Sequence, residues 1–355
     1  MPSATQERFH GGLRDDELRA LRVDAEQVLD FSVSTNPYGP CPIVADAIRS
    51  ARADRYPDPD ALGVRIAMAD ALDLAPEQIV LGAGAADLLW TAARALLQPG
   101  THVLVVEPTF CEFRAAALAA GAQVHALCAE EHAAFRIDLD AALETARRCQ
   151  AHVIYLCTPN TPTGVAVPAR EVAAAAAAQP ELTWVLDQSF LSLSDRFADA
   201  AVAMPDNVVR VRSLTKDHGI PGIRVGYALA PPALARRLLA QRPSWSTGAH
   251  AQAAARAACS VPWFVAQSRS KLASDRARMS AELAALGLAP LPSTAPFFLV
   301  RVQRASALRD RLLVRQRVLV RACESFGLPD FIRLAARPAA DSARLCAALR
   351  EELSC

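Results

Sequence analysis

The chain is predicted to be an α/β protein with a mostly parallel sheet wrapped by helices, a large lobe followed by a smaller α+β lobe. Three observations predict this class. Short apolar runs alternate with alanine-rich segments of helical pattern, the order that βαβ units need. Polar residues, Asp187 and Asn160 among them, end or follow two of those runs, and ligands of open α/β sheets bind at the carboxyl ends of strands. The length, 355 residues, is enough for two lobes that each bury a core.

Taken in order, Ile79-Val80-Leu81 reads as a buried strand that passes through the small-residue turn Gly82-Ala83-Gly84 into a helix over Ala85–Leu97. His102–Val106 is the next strand, and Ala115–Ala120 and Leu139–Arg148 are helical. Val153–Cys157 is a short apolar strand ending in Thr158-Pro159-Asn160-Thr161-Pro162-Thr163-Gly164. The alanines of Ala169–Gln179 are helix formers rather than a linker. Leu182–Asp187 is a strand that closes on a carboxylate. From about Pro243 the pattern changes to one long helical stretch, Ala249–Leu286, followed by strands Phe297–Val302 and Val318–Val320. The expected division is an N-terminal arm over 1–40, a large domain over 41–242 and a small C-terminal domain over 243–355.

Composition excludes several function classes. Net charge is +1 and the arginines are scattered without a block, which argues against a nucleic-acid partner. No apolar run reaches membrane-spanning length and Met1–Arg8 lacks a signal-peptide core, so no membrane partner and a cytoplasmic location are expected. Nine cysteines, an odd number with no Cys-x-x-Cys pair, argue against a disulfide framework or a structural zinc, and no metal is expected.

The chain has two lysines, Lys216 and Lys271, among 38 basic residues. Arginine stays charged, whereas a deprotonated lysine is an amine nucleophile toward a carbonyl. Lys271 sits on a charged helical face and reads as structural. Lys216 lies in Ser213-Leu214-Thr215-Lys216-Asp217-His218-Gly219-Ile220-Pro221-Gly222-Ile223-Arg224, a stretch too broken for a helix, and reads as a Schiff-base lysine on a loop. His218, two residues on, reads as a solvent-facing loop histidine.

The Ser213/Lys216/Arg224 spacing resembles the lysine segment of fold-type I enzymes that use pyridoxal 5'-phosphate (PLP), the class I/II aminotransferase superfamily. The resemblance runs from about His10 to Arg337 and narrows to the branch holding histidinol-phosphate aminotransferase and threonine-phosphate decarboxylase. It implies PLP as cofactor, linked to Lys216, with the phosphate held by Ser213, Arg224, the Gly84-Ala85 helix start and Tyr56 of a neighbouring subunit, hence a homodimer with shared active sites. It implies Asp187 as partner of the pyridine nitrogen, Phe110 stacked on the ring, and Asn160 and Thr161 beside it. Thr161 stands where the family has an asparagine that donates to the ring oxygen, Phe190 where a tyrosine is common, and Gln188 where a glutamate is usual. Arg333 is implied to bind the substrate α-carboxylate, Arg321 a second anion, and Asn36 to be a substrate contact.

The implied function is amino transfer to or from a small amino acid or amine, phosphorylated or not. Decarboxylation of the threonine-phosphate type is the alternative, suggested by His10-Gly11-Gly12, Ile220-Pro221-Gly222 and Pro243-Ser244-Trp245-Ser246. A PLP-binding module with little turnover is a third reading. Which bond at Cα is held perpendicular to the ring separates the first two.

Overall fold

A computed structural model describes residues 10–353. The reading of Met1–Arg8 as lacking a signal sequence lies outside them. Strands are numbered along the chain: β1 Leu29–Asp30, β2 Ile79–Gly82, β3 His102–Glu107, β4 Gln123–Cys128, β5 Val153–Cys157, β6 Thr183–Asp187, β7 Val208–Ser213, β8 Gly226–Leu229, β9 Phe297–Arg301, β10 Val318–Leu319, β11 Arg321–Ala322 and β12 Phe331–Ala335. The main sheet runs β2-β8-β7-β6-β5-β3-β4. Only β8 is antiparallel to its neighbours, pairing so with both β2 and β7.

Period-2 alternation explains why this sheet is covered on both faces. Val103 and Val105 of β3 join Tyr155, Val185 and Val211 under the helix Ala85–Leu96, which contributes Leu88, Leu89, Ala92 and Ala93. Leu104 of β3 points the other way, with Ile154, Leu156, Trp184 and Leu186, onto Ala142, Ala146, Val172 and Ala176 of two further helices. Alanine at these helix positions lets helix and sheet approach closely.

A second, antiparallel sheet runs β11-β12-β9, its core built from Phe298, Val300, Ile332 and Leu334 against Met279, Leu283, Leu345 and Leu349. Phe31 is part of the same core, and β1 pairs in parallel with β10. Leu18 and Val23 pack on Leu313 and Leu319 nearby. Residues 15–31 are thereby built into the C-terminal core.

Two elements differ from the sequence reading. The helical stretch Ala249–Leu286 is two helices, Ala249–Cys259 and Pro262–Ala284. Pro262 at the first helical position cannot donate a backbone hydrogen bond, and it drives Val261 out of the helical region to φ −127, ψ 44. The strand Val318–Val320 splits, because β10 pairs with β1 while β11 pairs with β12. No helix among the described residues is long and apolar enough to cross a membrane.

Candidate active site

The ends of β5, β6 and β7, strands β11 and β12 of the second sheet, and the start of the helix Ala85–Leu96 contribute to a cavity of about 250 Å³. Its walls include Ala85, Phe110, Thr161, Asp187, Phe190, Ser213, Lys216, Arg224, Arg321 and Arg333. Nine of the thirteen residues picked from sequence therefore line one space. Gly84, directly before Ala85, supports it from behind. Asn160, Asn36 and Tyr56 lie elsewhere.

One end is assembled by backbone. Gly84 has φ +91 and caps the helix Ala85–Leu96 without a side chain, so the first amides of that helix face the cavity wall at Ala85 and Ala86. A Cβ on Gly84 would lie 2.6 Å from Nη2 of Arg224, which shows how tightly the guanidinium sits over the turn. Ser213 ends β7 opposite Gly226 of β8, and a Cβ on Gly226 would meet the Arg212 carbonyl oxygen at 2.7 Å and the Ala85 nitrogen at 3.1 Å. Ser213 Oγ lies 2.7 Å from Thr215 Oγ1. Hydroxyls, amides and a guanidinium at one spot form an oxyanion-binding set.

In the middle, Lys216 sits in a single helical turn, Leu214–Asp217, where the sequence reading had a loop; four residues fit between β7 and the Gly219 turn. Burial first, then the charges of Arg333 and Arg224, push its ammonium down to about 8, with Asp187 opposing. Its Nζ lies 5.7 Å from the centre of the Phe190 ring, which packs edge-on against Phe297. Asp187 is 2 % exposed, and its carboxylate accepts from Ser189 N at 2.9 Å, Ser189 Oγ at 2.6 Å and Tyr155 OH at 3.3 Å. Burial raises its pKa, while the Ser189 and Tyr155 donors pull it back. Among the described residues no cation lies within ion-pair distance of it. A buried carboxylate so placed suits a protonated ring nitrogen.

The other end is brought in from the second sheet. Arg321 and Arg333 are directly paired across β11 and β12. Arg333 Nη1 donates to Thr161 Oγ1 at 2.6 Å and Nη2 to the Ser32 carbonyl at 2.7 Å, which ties the two sheets together at the cavity. Arg321 donates to the Ala322 carbonyl at 2.9 Å and to Ser325 Oγ at 2.6 Å, with its guanidinium over Phe326. Burial lowers the pKa of Arg333 to about 10, and the neighbouring Arg321 adds to the shift. Among the described residues, four cationic side chains and one carboxylate line the cavity, an excess of positive charge.

Three picks take other positions. Asn160 spends its amide on the Pro108 carbonyl, at 2.8 Å, and on Thr163 Oγ1, while its Oδ1 accepts from Thr109 Oγ1, so it braces the turn that presents Thr161. Asn36 donates from Nδ2 to the Asp217 carbonyl at 2.9 Å and from its backbone N to the Lys216 carbonyl at 3.0 Å. It holds the lysine segment rather than lining the cavity. Tyr56 is 80 % exposed and packs on Trp245, with centroids 4.9 Å apart. His218 corrects the solvent-facing reading, being buried, stacked on Phe264 and pushed down to about 4 by burial, hence neutral.

Sequence reasoning missed Tyr155, Ser189, Ser32 and Ser34. Tyr155 was hidden in an apolar run, although period 2 from Cys157, which registers with Asp187, would have aimed it at the carboxylate. His10 was also missed as a wall residue. It bonds Glu112, which Trp90 also holds, and packs on Phe110 at 5.4 Å.

These features place a buried lysine, a buried carboxylate and several arginines around one cavity. The chain belongs to the aminotransferase class I and II family, which matches residues 26–349. It is 33% identical to histidinol-phosphate aminotransferase 2 of Ralstonia nicotianae, over 95% of this chain and 91% of that one. It is also 33% identical to the histidinol-phosphate aminotransferase of Symbiobacterium thermophilum, over 92% and 91%. The PLP complex of histidinol-phosphate aminotransferase from Sinorhizobium meliloti superposes with TM-score 0.88 at 27% identity, covering 99% of this chain and 98% of that one. L-threonine-O-3-phosphate decarboxylase from Porphyromonas gingivalis superposes with TM-score 0.78 at 25% identity, covering 92% and 100%. The fold is therefore fold type I, and the protein is a PLP-dependent aminotransferase-family enzyme.

Proposed function

We propose that this enzyme transfers the amino group of a small amino acid bearing a second anion or of an amine bearing a phosphate dianion, with histidinol phosphate the type of the latter. The observation that carries this reading is the Arg321–Arg333 pair, two buried guanidinia side by side on one wall of the cavity. Like charges at that spacing in a dry site call for two anionic groups, or one dianion, on the ligand. Arg333, its fork fixed by Thr161 and Ser32, would take the carboxylate of an amino acid and Arg321 its distal anion, and the two would share the phosphate of an amine such as histidinol phosphate, which has no carboxylate.

Ser213, Arg224 and the amides at Ala85 and Ala86 would hold the phosphate of PLP, Phe110 would cover one face of its ring, and Asp187 would pair with the ring nitrogen. When bound, the cofactor supplies an electron sink for the pair of electrons left when a bond at Cα breaks. Asp187 keeps that sink protonated because Ser189 and Tyr155 hold the carboxylate toward the cavity. Lys216 would serve as the base for the proton at Cα, since an ammonium pushed down to about 8 gives up its proton close to neutral pH. Phe190 and Phe297 keep water from that amine.

Asn36 would position the lysine rather than touch substrate. Tyr56, exposed beside Trp245 and Arg55, would reach the phosphate site of a second copy in a homodimer, and the large domain is proposed to span 41–242 with the small one over 243–355.

Decarboxylation of a phosphorylated amino acid is the second reading, favoured by the presence of a threonine-phosphate decarboxylase at 25% identity over 92% of the chain. A product screen separates the two. The purified enzyme is incubated with histidinol phosphate plus 2-oxoglutarate and, separately, with L-threonine O-3-phosphate. Glutamate without CO2 supports transfer, CO2 release from the second compound supports decarboxylation, and turnover only of amino acids that have neither a second anion nor a phosphate would end the two-anion reading.

A further inference from the structure

We propose that His10, Cys111 and Glu112 form a binding site for a zinc-like divalent cation at the edge of the cavity. The inference is independent of the reaction proposed above. One imidazole nitrogen, one thiol sulfur and one carboxylate oxygen lie within 4.8 Å of one another, the one such cluster among the described residues. Mixed nitrogen, sulfur and oxygen donors suit a borderline cation, and three protein ligands with a fourth position left to water is the pattern of an open Zn2+ site. Mg2+ and Ca2+, which take oxygen shells, would find a single carboxylate here.

The geometry meets what such a site requires. Around tetrahedral Zn2+ the donor atoms stand about 3.3–3.6 Å apart. His10 Nε2 and Glu112 Oε1 are 2.8 Å apart, the spacing of a shared proton, so they have to open by about half an ångström for an ion that replaces it. His10 can yield, because its side chain is 46 % exposed, and the same exposure leaves the ion a way in. Glu112 is held. Its carboxylate is buried, and Trp90 Nε1 donates to its Oε2 at 2.6 Å, which turns Oε1 toward His10. Cys111 caps the helix Glu112–Ala119, so thiol and carboxylate are carried on one turn. Charge agrees with this placement. The cavity alongside has an excess of cations that would repel a bare divalent ion, and a thiolate with a carboxylate offsets its charge. His10 lines the cavity and packs on Phe110 at 5.4 Å, so an ion held here bears on the cavity wall.

The test is calorimetric titration of the EDTA-treated, PLP-loaded enzyme with ZnCl2, with X-ray absorption at the zinc edge on the complex. The expected result is one Zn2+ per chain, with one sulfur at about 2.3 Å and nitrogen or oxygen at about 2.0–2.1 Å. His10→Ala, Cys111→Ser and Glu112→Gln should each weaken binding by about a hundredfold, since each removes a ligand. Trp90→Phe should weaken it about tenfold, because it frees the carboxylate without touching the ligand set. Cys128→Ser, at an exposed thiol outside the cavity wall, should change nothing. Circular dichroism and PLP content that match the wild type separate a lost ligand from a lost fold, and His10→Ala, at an exposed position, carries the test if Cys111→Ser does not fold. No uptake by the wild type, a zinc shell without sulfur, uptake lost with Cys128→Ser, or binding unchanged in His10→Ala would each overturn the proposal.

Discussion

The two ends of the cavity that are proposed to hold anions are built by different means. The phosphate end is made within the main sheet, from the Gly84 turn, the start of the helix Ala85–Leu96, Ser213 and Arg224, and close backbone contacts at Gly84 and Gly226 fix it. The carboxylate end is made between sheets. Arg333 comes from β12, Thr161 from the loop after β5, and Ser32 from a segment that packs with the C-terminal core. An anion held by backbone amides on a rigid sheet cannot move with the substrate. An anion held across two cores can, so the second end is where substrate identity can be read.

Asp187 stands between the two ends and should show the largest effect. Asp187→Ala removes the only carboxylate in the cavity wall, and turnover should fall about a thousandfold while the phosphate end still binds PLP. Stopped-flow kinetics alongside a PLP titration would test it. A comparable collapse in PLP affinity would mean that the phosphate end cannot hold the cofactor by itself, and the contrast between the ends would fail.

Arg333→Ala should come next, weakening every carboxylate-bearing substrate by about 2–4 kcal/mol, because a buried charge-assisted fork is lost whatever the side chain. Arg321→Ala should penalise only substrates that carry a second anion. Steady-state kcat/KM on a matched pair of phosphorylated and unphosphorylated substrates separates them. Equal penalties on both members for Arg321→Ala would leave it a structural role on Ser325 and the Ala322 carbonyl.

How far the site was legible follows the same contrast. Lys216, Ser213 and Arg224 sit within twelve residues of one another, so their spacing carries the chemistry in the chain itself. The strand before the Gly82-Ala83-Gly84 turn and the one ending at Asp187 were legible for the same reason, since each element is local. The partners of Arg333 were not. Thr161 and Ser32 stand 172 and 301 residues from it, and no periodicity couples such positions. The bonds of Asn36 to the Asp217 and Lys216 carbonyls were equally hidden, because a sequence shows that an amide is present and not which carbonyl it meets. The break at Pro262 was readable and outweighed by the helical pattern on either side, whereas the split at Val320 was not, because it depends on which partners β10 and β11 find.

Tyr155→Phe is a smaller test. It deletes one donor to Asp187 without changing shape, so about 1 kcal/mol of transition-state stabilisation should go, with substrate affinity at the carboxylate end untouched. An equal loss in KM would mean that Tyr155 supports the whole cavity.

The last test asks whether burial and the cations between the two ends press on Lys216, and it needs no substrate. Lys216 is held down at about 8 in the folded protein against an ordinary value of 10.5. Between those values the unfolded chain binds the proton and the native protein does not, so native stability must rise with pH across that window. Below about 8 both states are protonated, and the buried ammonium, beside Arg333 and Arg224, is a fixed destabilising charge. Lys216→Met removes that charge and keeps the volume. The PLP-free variant should therefore be more stable than the PLP-free wild type at pH about 7.5, and the gap should close as pH approaches about 10. Urea denaturation of both proteins across that range measures the difference, in which groups common to the two cancel. A gap that stays constant with pH would mean that Lys216 titrates as an ordinary lysine, that the two arginines do not press on it, and that the pair at the carboxylate end is electrostatically isolated from the lysine it is meant to serve.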